Sequence, residues 1–136
     1  MRKILIDSGP LIALFDRSDK YHRSSVDFIR DNHCELITTL ASVTETLHLL
    51  DFNRKAQIGF LSWVEAGAVS IEAITPNDFG RIRALTIKYS DLPMDFADAC
   101  LVFLAEKLNI DHIATIDRDF DVYRRNNKHP FTTLIK

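Results

Sequence analysis

The chain has 136 residues, of which 46% are hydrophobic, and its formal net charge at pH 7 is −2. This length predicts one domain over residues 1–136 with enough apolar side chains to bury a sizeable core. The slightly acidic balance argues against a simple nucleic-acid-binding module, which would carry a positive field. It argues less against a nuclease whose acids hold cations, because a bound metal reverses the local sign of the charge.

The amino-terminal residues and the lengths of the apolar runs predict the cellular location of the protein. Met1-Arg2-Lys3 is charged, but no long apolar region or small-residue cleavage site follows, which predicts no signal peptide. No apolar run reaches the roughly 18 residues typical of a membrane span. Cys34 and Cys100 lack metal-ligand or redox spacing and are expected to be free thiols. We therefore expect a cytoplasmic protein without membrane association.

The first half of the chain alternates strand and helix patterns. A short aliphatic run at 3–6 predicts a strand that places Asp7 at its carboxyl end, and a small-residue turn then leads into a helix that runs to about Phe15. The next predicted elements are a helix at 24–32, a strand at 36–38, helices at 40–50 and 53–66, and a strand at 69–71.

The second half continues the alternation. A helix is predicted from Thr75 or Pro76 onwards, and a loop containing Pro93 follows. Residues 96–105 are all apolar except Asp98, which predicts a helix buried on all sides. The last predicted elements are a strand at 112–116, a mostly polar segment at 118–129 and a strand at 131–135. Strands alternating with helices predict a three-layer α/β/α sandwich with a mostly parallel central sheet.

Five acidic residues stand out because of their positions in these elements: Asp7, Glu45, Asp95, Asp98 and Asp117. Asp7 and Asp117 both follow predicted strands, so a parallel sheet places them at its carboxyl edge. Helix amino ends point toward the same edge, which brings the other three within reach. Asp98 is the hardest to explain structurally, because an unpaired buried carboxylate costs on the order of several kcal/mol and no lysine or arginine lies between 96 and 105.

Each acid also has a structural explanation. Asp7 is suited to a helix cap, and Asp95 to another with Asp98 as its partner three residues on. Glu45 has capping-box spacing with Ser42, and Asp117 suits a turn with Arg118 and Asp119. Together, however, converging carboxylates without local cations would repel one another. A divalent cation resolves that conflict, and all-oxygen ligation suits Mg²⁺ or Mn²⁺. Such a metal lowers the pKa of a bound water and neutralises phosphate charge, which predicts metal-dependent cleavage of a phosphodiester.

Four segments in this order resemble the PIN-domain family, and within it the VapC-type toxins of bacteria and archaea. They are the Ile-Asp-Ser-Gly-Pro-Leu-Ile run at 6–12, Glu45 on a mid-chain helix, Asp-Leu-Pro-Met-Asp-Phe-Ala-Asp-Ala at 91–99, and Ile-Ala-Thr-Ile-Asp-Arg-Asp-Phe at 113–120. The resemblance covers nearly the whole chain. It implies an α/β/α sandwich and a Mg²⁺- or Mn²⁺-dependent endoribonuclease, the toxin of a toxin-antitoxin pair.

The resemblance also implies roles for single residues. Asp7, Glu45, Asp98 and Asp117 match the family's metal-holding acids, and Ser8 is the hydroxyl beside the first of them. Asp95 and Asp119 would be additional acids at the rim, with Asp95 included among the metal ligands. The implied partners are an RNA substrate, a second copy of the chain in a homodimer, and a small antitoxin that inserts into the site.

Several other interpretations stay open. A basic group after Asp117 is either a phosphate-binding rim for RNA or a solvated loop, and consists of Arg118, Arg124, Arg125, Lys128 and His129. The chain could be a non-catalytic relative that binds RNA or a protein partner. A phosphatase of the haloacid dehalogenase type would show Asp-x-Asp after the first strand, whereas Gly9 stands at the second of those positions. The single Glu45-x-x-His48 pair is too little for an iron site.

Overall fold

The computed structural model describes residues 1–135. The strands are β1 (Arg2–Ile6), β2 (Cys34–Thr39), β3 (Ser70–Glu72), β4 (His112–Ala114), β5 (Arg124–Arg125), β6 (His129–Pro130) and β7 (Thr132–Leu134). The helices are α1 (Ser8–Phe15), α2 (His22–Asp31), α3 (Leu40–Leu49), α4 (Arg54–Glu65), α5 (Phe79–Lys88) and α6 (Phe96–Leu108), with 3₁₀ turns at Pro76–Asp78 and Arg118–Asp121. None of these helices is long and apolar enough to cross a bilayer.

The central sheet has five strands in the order β3-β2-β1-β4-β7, and every pairing within it is parallel. The predicted parallel α/β sheet is therefore confirmed. From β1 the chain passes outward through β2 and β3, then returns to place β4 on the other side of β1. The strand order thus reverses between β1 and β4, and a crevice opens there at the carboxyl ends of the strands.

The side chains of β1 divide the core between two faces. Ile4 and Ile6 point into a cluster with residues of α1 to α4, while Leu5 points into a cluster with α5 and α6. This alternation follows from the two-residue period of a strand and confirms the three layers. β1 is buried from Ile4 to Ile6 because helices cover it on both sides.

Local sequence signals set where the helices next to the crevice begin. Asp7 caps α1, Thr39 caps α3 and Asp95 caps α6, each by accepting a backbone N–H with its side chain. Gly9 in α1 lies very close to the loop after β4: a Cβ at Gly9 would be 2.7 Å from Ile116 Cγ1. Only a glycine therefore allows α1 to pack this tightly beside Asp117.

A small antiparallel hairpin, β5–β6, was not predicted from the polar segment at 118–129. Its turn contains Asn126 and Asn127, both with positive φ (52° and 61°), a backbone conformation that asparagine tolerates better than most residues. The strands have only two residues each, too few for a periodic pattern. The hairpin is held instead by tertiary contacts, since Asn126 N donates to Glu106 Oε2 at 2.7 Å.

Candidate metal centre

Three acids meet in the crevice between β1 and β4. Asp7 follows β1, Asp117 follows β4, and Asp98 lies in the first turn of α6. Each offers one carboxylate oxygen, and these oxygens all lie within 4.8 Å of one another. Asp7 and Asp98 are almost fully buried, at 4% and 6% exposure, while Asp117 is half-buried. The structure thus brings together three of the acids predicted from the sequence.

Asp7 is held at both oxygens. Its Oδ1 accepts a hydrogen bond from Ser8 N at 2.8 Å, and its Oδ2 accepts one from the Thr115 hydroxyl at 3.0 Å. The same Thr115 oxygen accepts from Asp117 N at 3.0 Å. One buried hydroxyl therefore links the two acids that follow neighbouring strands.

Asp98 is bound by a tyrosine that is distant in sequence. Tyr123 is fully buried, and its hydroxyl donates to Asp98 Oδ2 at 3.0 Å. Burial and then the adjacent Asp98 charge raise the pKa of Tyr123 far above its usual range, so the tyrosine keeps its proton and acts as a donor. The backbone N–H of Asp98 donates to Asp95 Oδ1 at 2.8 Å.

The structural explanations for three of the acids are also correct. Asp7 and Asp95 cap helices, and Asp117 Oδ1 accepts from Asp119 N at 2.9 Å in a tight turn. These roles coexist with the cluster because an ionised carboxylate has about four acceptor positions, of which a cap uses one. Capping therefore does not exclude metal binding.

Glu45 faces the site from α3. The Ser8 hydroxyl donates a short hydrogen bond to Glu45 Oε1. Its capping-box pairing with Ser42 is not formed, because Thr39 caps α3 and accepts from Ser42 N at 3.3 Å. Glu45 lies outside the 4.8 Å group, although its negative charge contributes to the raised pKa of Asp7.

Asp95 and Asp119 form the rim of the site. Asp95 is exposed and is not among the three clustered acids. Its charge nevertheless helps to raise the pKa of Asp98. The pKa of Asp119 is also raised, first by burial and then by the charges of Asp117 and Asp95.

The protein surroundings of the site disfavour negative charge strongly. Burial is the largest cause and raises the pKa of Asp7 to about 7. The hydrogen bonds from Ser8 and Thr115 lower this pKa, whereas the charges of Asp117 and Glu45 raise it. Burial likewise raises the pKa of Asp98 to about 8, and the charges of Asp7, Asp95 and Asp117 raise it further.

No basic side chain of the described residues forms an ion pair with these acids. Within residues 1–135, the ion pairs found lie elsewhere, and none includes Asp7, Glu45, Asp98 or Asp117. Closely spaced carboxylate oxygens without a protein cation fit a hard divalent ion, and the all-oxygen donor set suits Mg²⁺ or Mn²⁺. The residues present therefore fit the metal that the sequence predicts.

Two members of the basic group are engaged elsewhere. Arg124 Nη1 donates to the carbonyls of Asp121, Val122 and Tyr123 at 2.8 to 3.0 Å. Arg125 Nη1 makes a short hydrogen bond to Asn109 Oδ1, just past the carboxyl end of α6, whereas Asp98 lies at its amino end. For these two residues a structural role is favoured over a phosphate-binding rim. Arg118 is exposed next to Asp117.

An apolar groove adjoins Glu45 and Asp95. One part has a volume of about 490 Å³ and is lined mainly by apolar side chains of α3, of α6, of β3 with the segment that follows it, and by Phe79 at the start of α5. A second part, of about 480 Å³, reaches Glu45 and Asp95 and shares Ala41, Thr44 and Phe96 with the first. Leu40, at 64% exposure, lies on its edge. The groove therefore joins an apolar surface to an acidic end.

Comparison with known proteins assigns the family. A model of the PIN domain matches residues 4–126, so the chain belongs to the PIN-domain family, as the sequence predicted. A similar solved structure is Mycobacterium tuberculosis VapC20, a sarcin-ricin loop cleaving toxin, with a TM-score of 0.80 and 18% identity over 88% of this chain and 93% of that chain. Another is VapBC2 from Rickettsia felis bound to a DNA fragment from its promoter, with a TM-score of 0.65 and 9% identity over 97% of this chain and 98% of that chain. The curated protein sequences contain no match.

Two residues at the site were given no role from the sequence. Thr115 has a weak signal, since it stands two positions before Asp117 at the end of a strand. Tyr123 has none, because its contact with Asp98 spans 25 residues and depends on how α6 packs against the following segment. Both are buried polar groups whose partners only the fold reveals.

Proposed function

We propose that this PIN-domain protein is a metal-dependent endoribonuclease and the toxin of a toxin-antitoxin pair. The observation that supports the proposal best is the group of three buried or half-buried carboxylates, which no ion pair within residues 1–135 neutralises. The similarity in fold to VapC20, a sarcin-ricin loop cleaving toxin, and to VapBC2 adds support.

The proposed roles follow from the geometry. Asp7, Asp98 and Asp117 hold a Mg²⁺ or Mn²⁺ ion, and Glu45 completes the acidic wall with its carboxylate oriented by Ser8. When bound, the ion supplies activation of a water molecule and neutralisation of the scissile phosphate. Thr115 keeps Asp7 and Asp117 in register with each other.

Replacing single acids tests the enzymatic function. Asp7→Asn and Asp98→Asn preserve side-chain shape and remove charge, so each should lower the rate of RNA cleavage at least about 100-fold in Mg²⁺ or Mn²⁺ while circular dichroism shows a folded chain. Asp51→Asn, which changes an exposed acid after α3, is the matched control and should cleave like the unmodified protein. Full activity in both site variants would refute the assignment.

The groove is the proposed binding surface for the antitoxin. An apolar segment would cover the surface near Leu40 and Phe79, and a basic side chain would reach Glu45 or Asp95. A small open reading frame immediately upstream of the gene is the expected source of this partner. Co-expression of its product should suppress cleavage, and Phe79→Asp should weaken that suppression. Unchanged cleavage in the presence of that product would argue against the toxin role.

A further inference from the structure

We infer that Tyr123 is a positioning residue of the metal centre, and that its hydroxyl fixes the orientation of the Asp98 carboxylate. The inference rests on the proposed metal-dependent function. It starts from two observations: the Tyr123 hydroxyl donates to Asp98 Oδ2 at 3.0 Å, and both side chains are buried. A buried donor that binds one oxygen of a metal-binding carboxylate orients that carboxylate toward the metal.

The position of this hydroxyl is set by packing. The Tyr123 ring meets Phe120 and Tyr89 edge to face, with both centroid distances 5.0 Å and interplanar angles of 84° and 67°. Phe120 packs in turn against Phe131, at 5.8 Å. A buried ring held by two edge-to-face aromatic neighbours, one of them backed by Phe131, has little rotational freedom, so its oxygen presents a fixed donor to Asp98.

The consequence for Asp98 is a restricted carboxylate. The charges of Asp7 and Asp117 would favour rotation of Asp98 away from them when no cation is bound. The hydrogen bond to Oδ2 opposes that rotation and keeps a carboxylate oxygen of Asp98 within 4.8 Å of the oxygens of Asp7 and Asp117. Because Asp98 is already oriented in the folded protein, less conformational entropy is lost when an ion binds to it.

The β5–β6 hairpin helps to position Tyr123 for this contact. Tyr123 directly precedes β5, and the hairpin is anchored to α6 through Glu106, which accepts from Asn126 N and pairs with Arg81 at 2.8 Å. The hairpin and α6 thus form a frame that holds the tyrosine against the first turn of that helix.

Mn²⁺ affinity measured by isothermal titration calorimetry tests the inference. Tyr123→Phe removes only the hydroxyl and should weaken Mn²⁺ binding about 10- to 100-fold. Tyr89→Phe is the matched control, because its hydroxyl lies in the same aromatic cluster but accepts from Arg124 N at 2.9 Å, away from the acids. Its affinity should stay within about 2-fold of the unmodified protein. Equal weakening in both variants, or in neither, would overturn the positioning role.

The outcomes separate this inference from the proposed function. If the unmodified protein binds no Mn²⁺, the metal site itself is wrong. If it binds Mn²⁺ and Tyr123→Phe binds equally well, only the positioning role fails.

A measurement on the unmodified protein covers the case of a variant that does not fold. The chain has three tyrosines, so ¹³Cζ labelling gives three NMR signals. On addition of Mg²⁺ the Tyr123 signal should shift, while Tyr21 and Tyr89 should not, because only Tyr123 contacts a proposed ligand. An unchanged Tyr123 signal at saturating Mg²⁺ would overturn the inference.

Discussion

Asp7 and Asp98 are acids that the folded chain holds partly protonated near neutral pH, with pKa values of about 7 and about 8. Both values lie above 3.8, the ordinary value for the side chain, chiefly because burial removes water from the carboxylates. The cost of ionising them is tolerated because they meet at a place where a cation can bind. The buried acids therefore lower the stability of the fold and raise the affinity of the site for a cation.

The pH dependence of stability follows from these two residues. The unfolded chain releases their protons near pH 4 and the folded chain only near pH 7 to 8, so in between the folded state binds more protons and its free energy of unfolding falls as pH rises. Without metal, the Tm should drop by several degrees between about pH 5 and about pH 8. Differential scanning calorimetry in a chelating buffer measures this change.

Asp98→Asn provides the control for that experiment. The variant cannot ionise at this position, so its Tm should change less between the same two pH values and should exceed that of the unmodified protein at the higher one. A metal-free Tm that rises from about pH 5 to about pH 8 would contradict the electrostatic account of the site.

At the level of α6, one acid caps the helix and another serves the cluster. Asp95 accepts from Asp98 N, which both satisfies an amino-terminal N–H and fixes the backbone from which the Asp98 side chain extends. The sequence could predict both features, since Asp95 precedes an apolar helix and Asp98 is its lone charge in the first three turns. The ranking of Asp98 above Asp95 as a metal ligand came from the family resemblance, because the distances between oxygens depend on the strands beside them.

A pair of substitutions separates the cap from the ligand role of Asp95. Asparagine keeps a capping oxygen, so Asp95→Asn should retain the Tm and most of the RNA cleavage. Asp95→Ala loses the cap and should lower stability by about 1 kcal/mol, a few degrees in Tm. Thermal melts and cleavage assays on both variants measure this. A loss of cleavage in Asp95→Asn as large as in Asp98→Asn would make Asp95 a metal ligand.

The strands and long helices could be predicted because each has a period of its own. The aliphatic run before Asp7 and the apolar helix around Asp98 can both be recognised from the sequence alone. The β5–β6 hairpin could not be predicted, because its stability comes from contacts with α6 such as Glu106 to Asn126 N. The role of Tyr123 could not be predicted for the same reason, because its contact with Asp98 depends on how α6 packs against the segment that carries Tyr123.

At the scale of the whole molecule, the order of the strands creates the site. Because the order in which the chain adds strands reverses between the parallel neighbours β1 and β4, the residues that follow these strands face each other across an open crevice rather than under a crossing helix. Asp7 and Asp117 are those residues, and α6 directs its amino end toward them. The resemblance to the PIN-domain family and this topology thus predict the same location for the chemistry.

The charge of the whole chain agrees with the metal requirement that we propose. A chain with net charge −2 and an acidic crevice repels an RNA phosphate unless a cation is bound there. The homodimer implied by the family resemblance stays a prediction, which sedimentation can test by a mass of two chains.

Direct titration of the protein with Mn²⁺ tests the central proposal that clustered acids hold a divalent ion. We expect saturable binding by the unmodified protein, at least about 100-fold weaker binding by Asp7→Asn and Asp98→Asn, and unchanged binding by Asp51→Asn. Absence of binding at millimolar Mn²⁺, or equal binding by all four proteins, would contradict the account and favour a non-catalytic PIN-domain protein that binds RNA or a partner.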